Sequence, residues 1–201
     1  AVEAMNSAKY WSHSTAHLRA QILYYMAENL SARRAEFANT LQALTGRSDA
    51  QTEVEQSIQR LFFYAAWSDK FDGSARSVPL KAVALVMKEA IGNCGVLCDN
   101  QHPLLGFISV MAPLFATGNR SIIIPSETFS PIVTDFYQVL DTSDVPPGTI
   151  NILTGKHADL AIELAGHMDI ESIWSFSPSD VSRDIEKASV SNLKRTWVNN
   201  G

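Results

Sequence analysis

Cysteine is scarce in this chain. Only Cys94 and Cys98 occur among its 201 residues. Because they are four positions apart on a predicted strand, their α-carbons would be separated by roughly 13 Å, which is too far for a disulfide. No second pair of ligands follows at the spacing of a zinc site. We therefore expect two free thiols that pack as small hydrophobic side chains, with no disulfide and no metal.

The chain also lacks a long apolar run, a basic cluster and a signal peptide. Its most apolar segment, residues 103–116, contains proline and is shorter than the roughly 18 residues of a membrane span. With 16 basic and 21 acidic residues the net charge is −5, and no basic stripe is present that would bind a nucleic acid. Residues 1–20 carry charged side chains and histidines where a signal peptide is apolar. We expect a cytoplasmic protein without a membrane or nucleic acid partner and, because it begins at Ala1, a piece of a longer one.

The first third of the chain has the spacing of amphipathic helices. Apolar residues recur every three or four positions in three successive segments, which predicts three helices. The residues are Leu18, Ile22, Tyr25, Met26 and Leu30, then Phe37, Leu41 and Leu44, then Val54, Ile58, Leu61, Phe62 and Ala65. The segment Phe71–Pro79, with Asp72-Gly73-Ser74, is interpreted as a turn or loop, and the alternation in Val83–Lys88 predicts an exposed strand.

Beyond residue 90, short β-rich runs alternate with helix-length segments. The predicted strands are Gly95–Cys98, Ser121–Ile124, Thr149–Leu153, Ser172–Phe176 and Thr196–Val198, and the predicted helices are Leu104–Thr117, Ser130–Leu140, Ala158–Gly166 and Ser179–Ser189. This alternation predicts a parallel sheet with right-handed crossovers. The expected fold is α/β, with a Rossmann-like parallel sheet preceded by a helical N-terminal region. We expect one domain over 1–201, divided into helices (1–70), a loop and exposed strand (71–90) and the sheet core (91–201).

Ligands of a parallel α/β sheet bind where its strands end, so the informative residues follow each predicted strand. These loops are Asp99–His102, Pro125–Glu127, Thr154–His157, Ser177–Ser179 and Asn199–Gly201. A phosphate cradle needs bare backbone amides, yet the third loop holds a single glycine and the fourth holds a proline without an N–H. We expect Ser179 to be a helix N-cap rather than a phosphate ligand.

Groups of catalytic or metal-binding residues are equally hard to find. A Cys-His pair would need a cysteine beside His102, but a strand cysteine usually packs in the core and nothing nearby in sequence lowers its pKa. His13 and His17 have the i, i+4 spacing of a helical metal pair, but no acidic or thiol ligand accompanies them. Ser177 and Ser179 lie outside any Gly-x-Ser-x-Gly elbow. The residues therefore predict neither a catalytic group nor a metal ligand.

The order of short motifs is more informative than any one of them. The chain resembles the aldehyde dehydrogenase superfamily in order and spacing through Gly95–Cys98, Pro103-Leu104, Ala112-Pro113, Gly118-Asn119, Pro125-Ser126-Glu127, Val145-Pro146-Pro147-Gly148-Thr149-Ile150-Asn151-Ile152, Phe176-Ser177 and Asn192-Leu193-Lys194-Arg195. The resemblance runs from the helical opening around Trp11 to Gly201. It implies the nucleotide-binding domain of that family, with the catalytic domain absent.

The departures from the family pattern fall on its functional positions. Gln101 stands where the family has an asparagine whose amide helps to hold an oxyanion. Ile124 replaces a ribose-binding lysine, whereas Glu127, the other ribose partner, is kept. Phe176-Ser177-Pro178-Ser179 replaces the Phe-Thr-Gly-Ser turn that faces the cofactor. Asn199, in Val198-Asn199-Asn200-Gly201, aligns with the general-base glutamate, and an amide cannot take a proton from water.

The resemblance therefore implies a domain that keeps the fold and has lost the chemistry. It is most similar to the degenerate C-terminal domain of family 16 aldehyde dehydrogenases, which implies oligomerisation or scaffolding within a larger aldehyde dehydrogenase. The implied partners are a preceding aldehyde dehydrogenase domain, a second subunit or another protein, met by the exposed strand near residues 83–88. The alternatives are the NAD-binding part of an active NAD-dependent aldehyde dehydrogenase, and a nucleotide sensor that uses Glu127 and Ser179. No cofactor is expected, and NAD is the one to test.

Overall fold

A computed structural model describes residues 1–71 and 73–199. Helices form the N-terminal part, and three of them coincide with the three predicted apolar periodicities. The helices are α1 (Val2–Ser7), α2 (Ala16–Ala32), α3 (Arg34–Thr45) and α4 (Ala50–Trp67), with a short 3-10 helix at Lys9–His13. Thr15 caps α2 by accepting a hydrogen bond from the Leu18 backbone N–H.

Two exposed strands follow, in a sheet of their own. They are β1 (Ser74–Ser77) and β2 (Val83–Val86), which pair antiparallel with Ser74 opposite Val86. The interpretation of residues 71–79 as a turn or loop is therefore wrong for β1, and Asp72 lies outside the described residues. The polar sequence of β1 does not predict a strand. The strand forms because its backbone pairs with the apolar β2.

The remaining elements alternate as predicted. They are β3 (Asn93–Leu97), α5 (Pro103–Ala116), β4 (Arg120–Ile124), α6 (Pro131–Asp141), β5 (Ile150–Ile152), α7 (His157–Gly166), β6 (Ser172–Ser175), α8 (Ser179–Ser189) and β7 (Arg195–Val198). The five strands pair in parallel in the order β5-β4-β3-β6-β7. The predicted α/β fold with a Rossmann-like sheet is confirmed.

Helices cover both faces of the sheet and divide the core into two layers. On one face α5 and α6 pack together with α2, α3 and α4 around Phe107, Phe115 and Phe136. On the other face, Met5 of α1 joins residues of α7 and α8 around Ile122, Ile124 and Ile173. The N-terminal helices thus share their core with the sheet. Within 1–71 and 73–199, no helix is both long and apolar enough to cross a membrane.

Candidate functional site

The strand order reverses between β3 and β6, and this is where open α/β sheets bind their ligands. Chain connections leave β3 in one direction, through α5 to β4, and reach β6 only after α7. The loops that follow β3, β4 and β6 therefore meet at one edge of the sheet, which we call the carboxyl edge. It contains four of the five sequence-predicted site residues, namely Gln101, Ile124, Glu127 and Ser179, and Asn199 follows the neighbouring strand β7.

The loop after β3 is held by Asp99 rather than by Gln101. The Asp99 Oδ1 atom accepts hydrogen bonds from the backbone N–H groups of Gln101 (2.8 Å) and His102 (3.2 Å). The Gln101 carbonyl accepts one from the Arg47 guanidinium at 2.6 Å, and the Gln101 residue is exposed. Its amide is thus on the surface beside an arginine of the helical region.

A buried glutamate, Glu53, holds the start of α5 and was missed by the sequence analysis. Its side chain is 2% exposed, and Oε1 accepts from the backbone N–H groups of Leu104 (3.0 Å) and Leu105 (3.2 Å). Its Oε2 atom accepts from Arg47 at 2.9 Å. The carboxylate therefore supplies the helix cap that α5 lacks in its own sequence. The only sequence signal was an acidic residue beside Val54 on the apolar side of α4.

Ile124 ends β4, Glu127 lies in the loop that follows, and the two residues have opposite environments. The Ile124 side chain is fully buried in the core layer of α7 and α8. Glu127 is exposed, and its Oε1 atom accepts a hydrogen bond from the backbone N–H of His157, the first residue of α7. A carboxylate at that position is favoured by the positive end of the helix dipole. The Glu127 carboxylate is thus hydrogen-bonded to another part of the same chain.

His157 links three loops of the carboxyl edge, and the sequence analysis gave it no role. Its side chain is buried, with Nε2 2.8 Å from the Pro125 carbonyl oxygen and Nδ1 3.1 Å from the Ser177 hydroxyl. A carbonyl oxygen only accepts, so Nε2 donates to Pro125. The ring therefore joins the loops after β4 and β6 to the start of α7.

The turn before α8 offers no anion cradle of the expected kind. Pro178 is the N-cap residue, with φ −53° and ψ 157°, and Ser179 is the first helical residue. The prediction that Ser179 caps the helix is therefore wrong by one position, because proline fixes the extended backbone that the cap requires. No side chain caps α8, and the Ser182 N–H donates to the Pro178 carbonyl at 3.1 Å.

Asn199 is the last described residue, since Asn200 and Gly201 lie outside the described part of the chain. Its backbone N–H donates to the Ser175 carbonyl at 2.8 Å, which extends the pairing of β6 with β7 beyond Val198. The residue is exposed. The residue that the resemblance aligns with a general base thus lies at the end of β7 and carries an amide side chain.

Both cysteines are free and buried. Burial raises the pKa of the Cys94 thiol to about 12, and burial together with Asp99 raises that of Cys98 further. His102 contacts Arg47 and Glu53. Among the residues that the structure describes, no three His, Cys, Asp or Glu side chains gather as a metal site.

The two histidines at helical spacing do not form a pair. His13 ends the 3-10 helix and His17 lies in α2, and Ser14 between them is extended with φ −63° and ψ 150°. The i, i+4 spacing in the sequence therefore does not become one helical turn, because Thr15 begins a new helix between the two residues, and both histidines are exposed.

Comparison with known proteins connects this arrangement to one family. The family model described as "Aldehyde dehydrogenase family" matches residues 1–201. Human cytosolic 10-formyltetrahydrofolate dehydrogenase is 26% identical over 200 residues, which are 95% of this chain and 22% of that protein. Retinal dehydrogenase 2 of Gallus gallus is 28% identical over 202 residues, 98% of this chain and 39% of that protein.

The solved structures agree with the sequence comparison. PnpE from Pseudomonas sp. WBC-3, in complex with nicotinamide adenine dinucleotide, superposes with a TM-score of 0.94 at 25% identity. The match covers 98% of this chain and 41% of PnpE. The chain spans 22% of the length of the 10-formyltetrahydrofolate dehydrogenases.

Proposed function

The chain belongs to the aldehyde dehydrogenase family, and from that premise we propose that it is a non-catalytic domain that serves oligomerisation or scaffolding within a larger aldehyde dehydrogenase. One observation carries the proposal: the groups at the carboxyl edge that would meet a dinucleotide are bonded to the chain itself. The Glu127 carboxylate accepts a hydrogen bond from the His157 backbone N–H, and the His157 ring is hydrogen-bonded to the Pro125 carbonyl and the Ser177 hydroxyl.

Two helix starts at this edge each lack one backbone N–H that a pyrophosphate could use. Such a group is held by free backbone N–H groups at a helix N-terminus. At the start of α8 the N-cap residue Pro178 has no N–H, so only the N–H groups of the first helical turn are left as donors, and at the start of α7 the first N–H already faces a carboxylate. A second anion near Glu127 would also be repelled by that carboxylate.

The reacting positions support the same proposal. An amide at Asn199 cannot accept a proton from water, so the hydrolytic step of the family's reaction has no base there. At the ribose position the buried Ile124 offers no donor. Each lost group of this kind typically costs about 3 kcal/mol of transition-state stabilisation, so the combined loss would lower the rate by orders of magnitude.

The hairpin of β1 and β2 supports the assembly part of the proposal. Apolar side chains of β2 are exposed, including Val83 (68%) and Leu85 (70%), and so is Met87 (74%), which directly follows the strand. A two-stranded sheet is marginally stable alone and leaves a strand edge free to pair with another chain. A partner would cover these side chains and that edge together.

The alternative is the NAD-binding part of an active aldehyde dehydrogenase. It is favoured by the retained Glu127 and by the similarity to PnpE, which was solved with nicotinamide adenine dinucleotide. It requires the Glu127 carboxylate to leave the His157 N–H, and a backbone N–H donor at the start of α8 in spite of Pro178.

Calorimetric titration with NAD and with NADP, followed by thermal unfolding at 1 mM nucleotide, tests the proposal. We expect no saturable heat and a Tm shift below about 1 °C. A site with a dissociation constant of about 10 μM would instead stabilise the fold by about 2.7 kcal/mol at that concentration. For a chain of this size that corresponds to a rise of roughly 5–10 °C.

Two proline variants make the titration specific. Pro178→Gly returns an N–H to the α8 N-terminus, and we expect it to bind NAD more strongly than the parent chain. Pro147→Gly changes an exposed proline in the turn before β5, away from the carboxyl edge, and serves as the matched control. Saturation of the unmodified chain below about 1 mM would refute the non-catalytic proposal and favour a sensor or an active enzyme.

A further inference from the structure

An apolar cleft lies between the last turns of α4 and α5, away from the carboxyl edge. The two helices run in the same direction, since Glu53 in the first turn of α4 contacts Leu104 at the start of α5 and both helices end at the cleft. α5 leaves the carboxyl end of β3 and returns to the amino end of β4. On α5 the cleft begins at Pro113, roughly 15 Å along the helix from Pro103. It therefore lies toward the amino ends of the strands.

Three half-exposed aromatic residues form the outer wall of this cleft: Phe63 and Trp67, one turn apart on α4, and Phe71, which follows that helix. The ring centroids of Trp67 and Phe71 are 6.4 Å apart, with planes at 63°. Pro113 and Ala116 of α5 form the opposite wall. The volume of the cleft is about 310 Å³, within the range of small-molecule sites. Large rings left open to a cavity are a binding surface that the fold itself does not use.

The serine and the threonine of the lining direct their hydroxyl protons into their own helices. Ser68 Oγ donates to the Tyr64 carbonyl at 2.9 Å, and Thr117 Oγ1 donates to the Pro113 carbonyl at 2.7 Å. Among the residues that the structure describes, no charged side chain lines the cleft. A polar group that entered it would lose its hydration and gain few hydrogen bonds in exchange. The interior therefore suits an apolar group such as an alkyl chain.

A cation lies at the rim of the cleft, over its outermost ring. The Lys88 ammonium, two residues beyond β2, is 3.7 Å from the centroid of the Phe71 ring. The ring covers one side of the ammonium, which has three N–H donors, so donors remain for an anion at the rim. Lys70, which follows α4, is instead paired with Asp69 at 2.6 Å. The cleft thus combines an apolar interior with a positive charge at its opening.

We propose that this cleft binds a single-chain amphiphile with an anionic head group, such as the carboxylate of a medium-chain fatty acid. The alkyl chain buries its apolar surface between α4 and α5, and the carboxylate pairs with the Lys88 ammonium. An amphiphile with a cationic head group is repelled by the same lysine. The site lies apart from the carboxyl edge, so it does not depend on the function proposed above.

Decanoate is the probe, and decylammonium, which has the same chain and the opposite charge at pH 8, is the matched control ligand. Binding of each to the full chain is followed by ligand-observed NMR at constant ionic strength, below the concentration at which either forms micelles. We expect decanoate to bind at least about tenfold more tightly. Affinity should also rise about threefold for each methylene from hexanoate through octanoate to decanoate, because each one buries apolar area. Equal affinity for the two charges, or no dependence on chain length, would overturn the proposal.

Two variants assign the binding to the cleft and to its rim. Lys88→Gln removes the charge at an exposed position, and Trp67→Leu keeps an apolar side chain at a half-exposed one, so both variants should fold. We expect Lys88→Gln to weaken decanoate binding about fivefold and to bring decanoate and decylammonium to similar affinities. Trp67→Leu should weaken both ligands about tenfold, because it removes apolar contact area for the chain.

Two matched controls separate this cleft from the rest of the surface. Lys81→Gln removes an exposed lysine in the turn between β1 and β2, at the end of the hairpin away from Lys88. Trp197→Leu removes an exposed tryptophan of β7. Both controls should leave decanoate affinity unchanged. Decanoate binding that is weakened by Trp197→Leu and not by Trp67→Leu would place the ligand elsewhere, and binding that survives both Lys88→Gln and Trp67→Leu would also refute the site.

Discussion

Two buried polar residues, Glu53 and His157, hold the loops of the carboxyl edge. The Glu53 carboxylate accepts a hydrogen bond from the Leu104 N–H at the start of α5, 51 residues away in the sequence. The His157 ring is hydrogen-bonded to the Ser177 hydroxyl. A buried polar group is tolerated only with such partners, because an unpaired one costs about 1–3 kcal/mol. Their roles could not be predicted from the sequence, because each depends on a long-range contact. Gln101, Ile124, Glu127 and Asn199 were found only because motif order gave them positions.

Replacing Glu53 tests its role as a helix cap. In Glu53→Ala two backbone N–H groups of α5 lose their acceptor, and the Arg47 guanidinium loses one of its acceptors. We expect the free energy of unfolding to fall by about 3 kcal/mol, measured by urea denaturation followed by circular dichroism.

Glu55→Ala is the matched control in the same helix. Glu55 is partly exposed and forms a surface ion pair with Arg34 at 3.5 Å. Its loss should cost less than about 0.5 kcal/mol. Equal effects of the two substitutions would mean that Glu53 acts only as a helix-surface charge.

At the scale of elements, the periodicity of apolar residues was sufficient to predict a helix or strand wherever the segment packs through its own apolar face. The predicted helix Ser179–Ser189 has the bounds of α8, and the predicted strands differ from β3–β7 by at most two residues at an end. The failures have physical causes. Polar β1 becomes a strand through pairing with β2, and α1 is short and is held by the insertion of Met5 into the core. Neither the pairing of β1 with β2 nor the packing of Met5 can be predicted from the residues next to them in the sequence.

The hairpin of β1 and β2 should carry self-association if the assembly proposal is right. Val83→Lys/Leu85→Lys places two charges on exposed positions of β2, and charged side chains on edge strands block pairing with another chain. We expect sedimentation velocity to give an assembly of the unmodified chain at about 100 μM, a concentration that favours micromolar association. The double variant should sediment as a monomer with the same Tm.

Ile162→Lys is the control for the hairpin variant. Ile162 is an apolar residue of α7, 52% exposed and outside the hairpin. It should leave association unchanged. A monomeric unmodified chain, or an assembly that survives the double substitution, would remove the hairpin as the interface.

For the whole molecule, the central strand β3 connects the two core layers and reports global unfolding. Cys94 lies in β3 and Cys98 directly follows it, and both are at most 2% exposed. We therefore expect iodoacetamide at pH 8 to label the native chain at least about 100-fold more slowly than the chain in urea, because burial and the raised pKa both withhold the thiolate. Fast native labelling of either thiol would mean that the sheet opens locally.

The same thiols should make the fold sensitive to alkali. An unfolded thiol ionises near its ordinary pKa of 9.0, whereas folded Cys94 keeps its proton up to a pKa of about 12. The unfolded state therefore binds fewer protons between these values, so the stabilisation is complete below pH 9 and is lost as pH rises toward 12. The free energy of unfolding from urea denaturation should fall across this range with a slope on the order of 1 kcal/mol per pH unit for each thiol. Cys94→Ala should flatten the slope, and an unchanged slope would assign the alkaline loss to other groups.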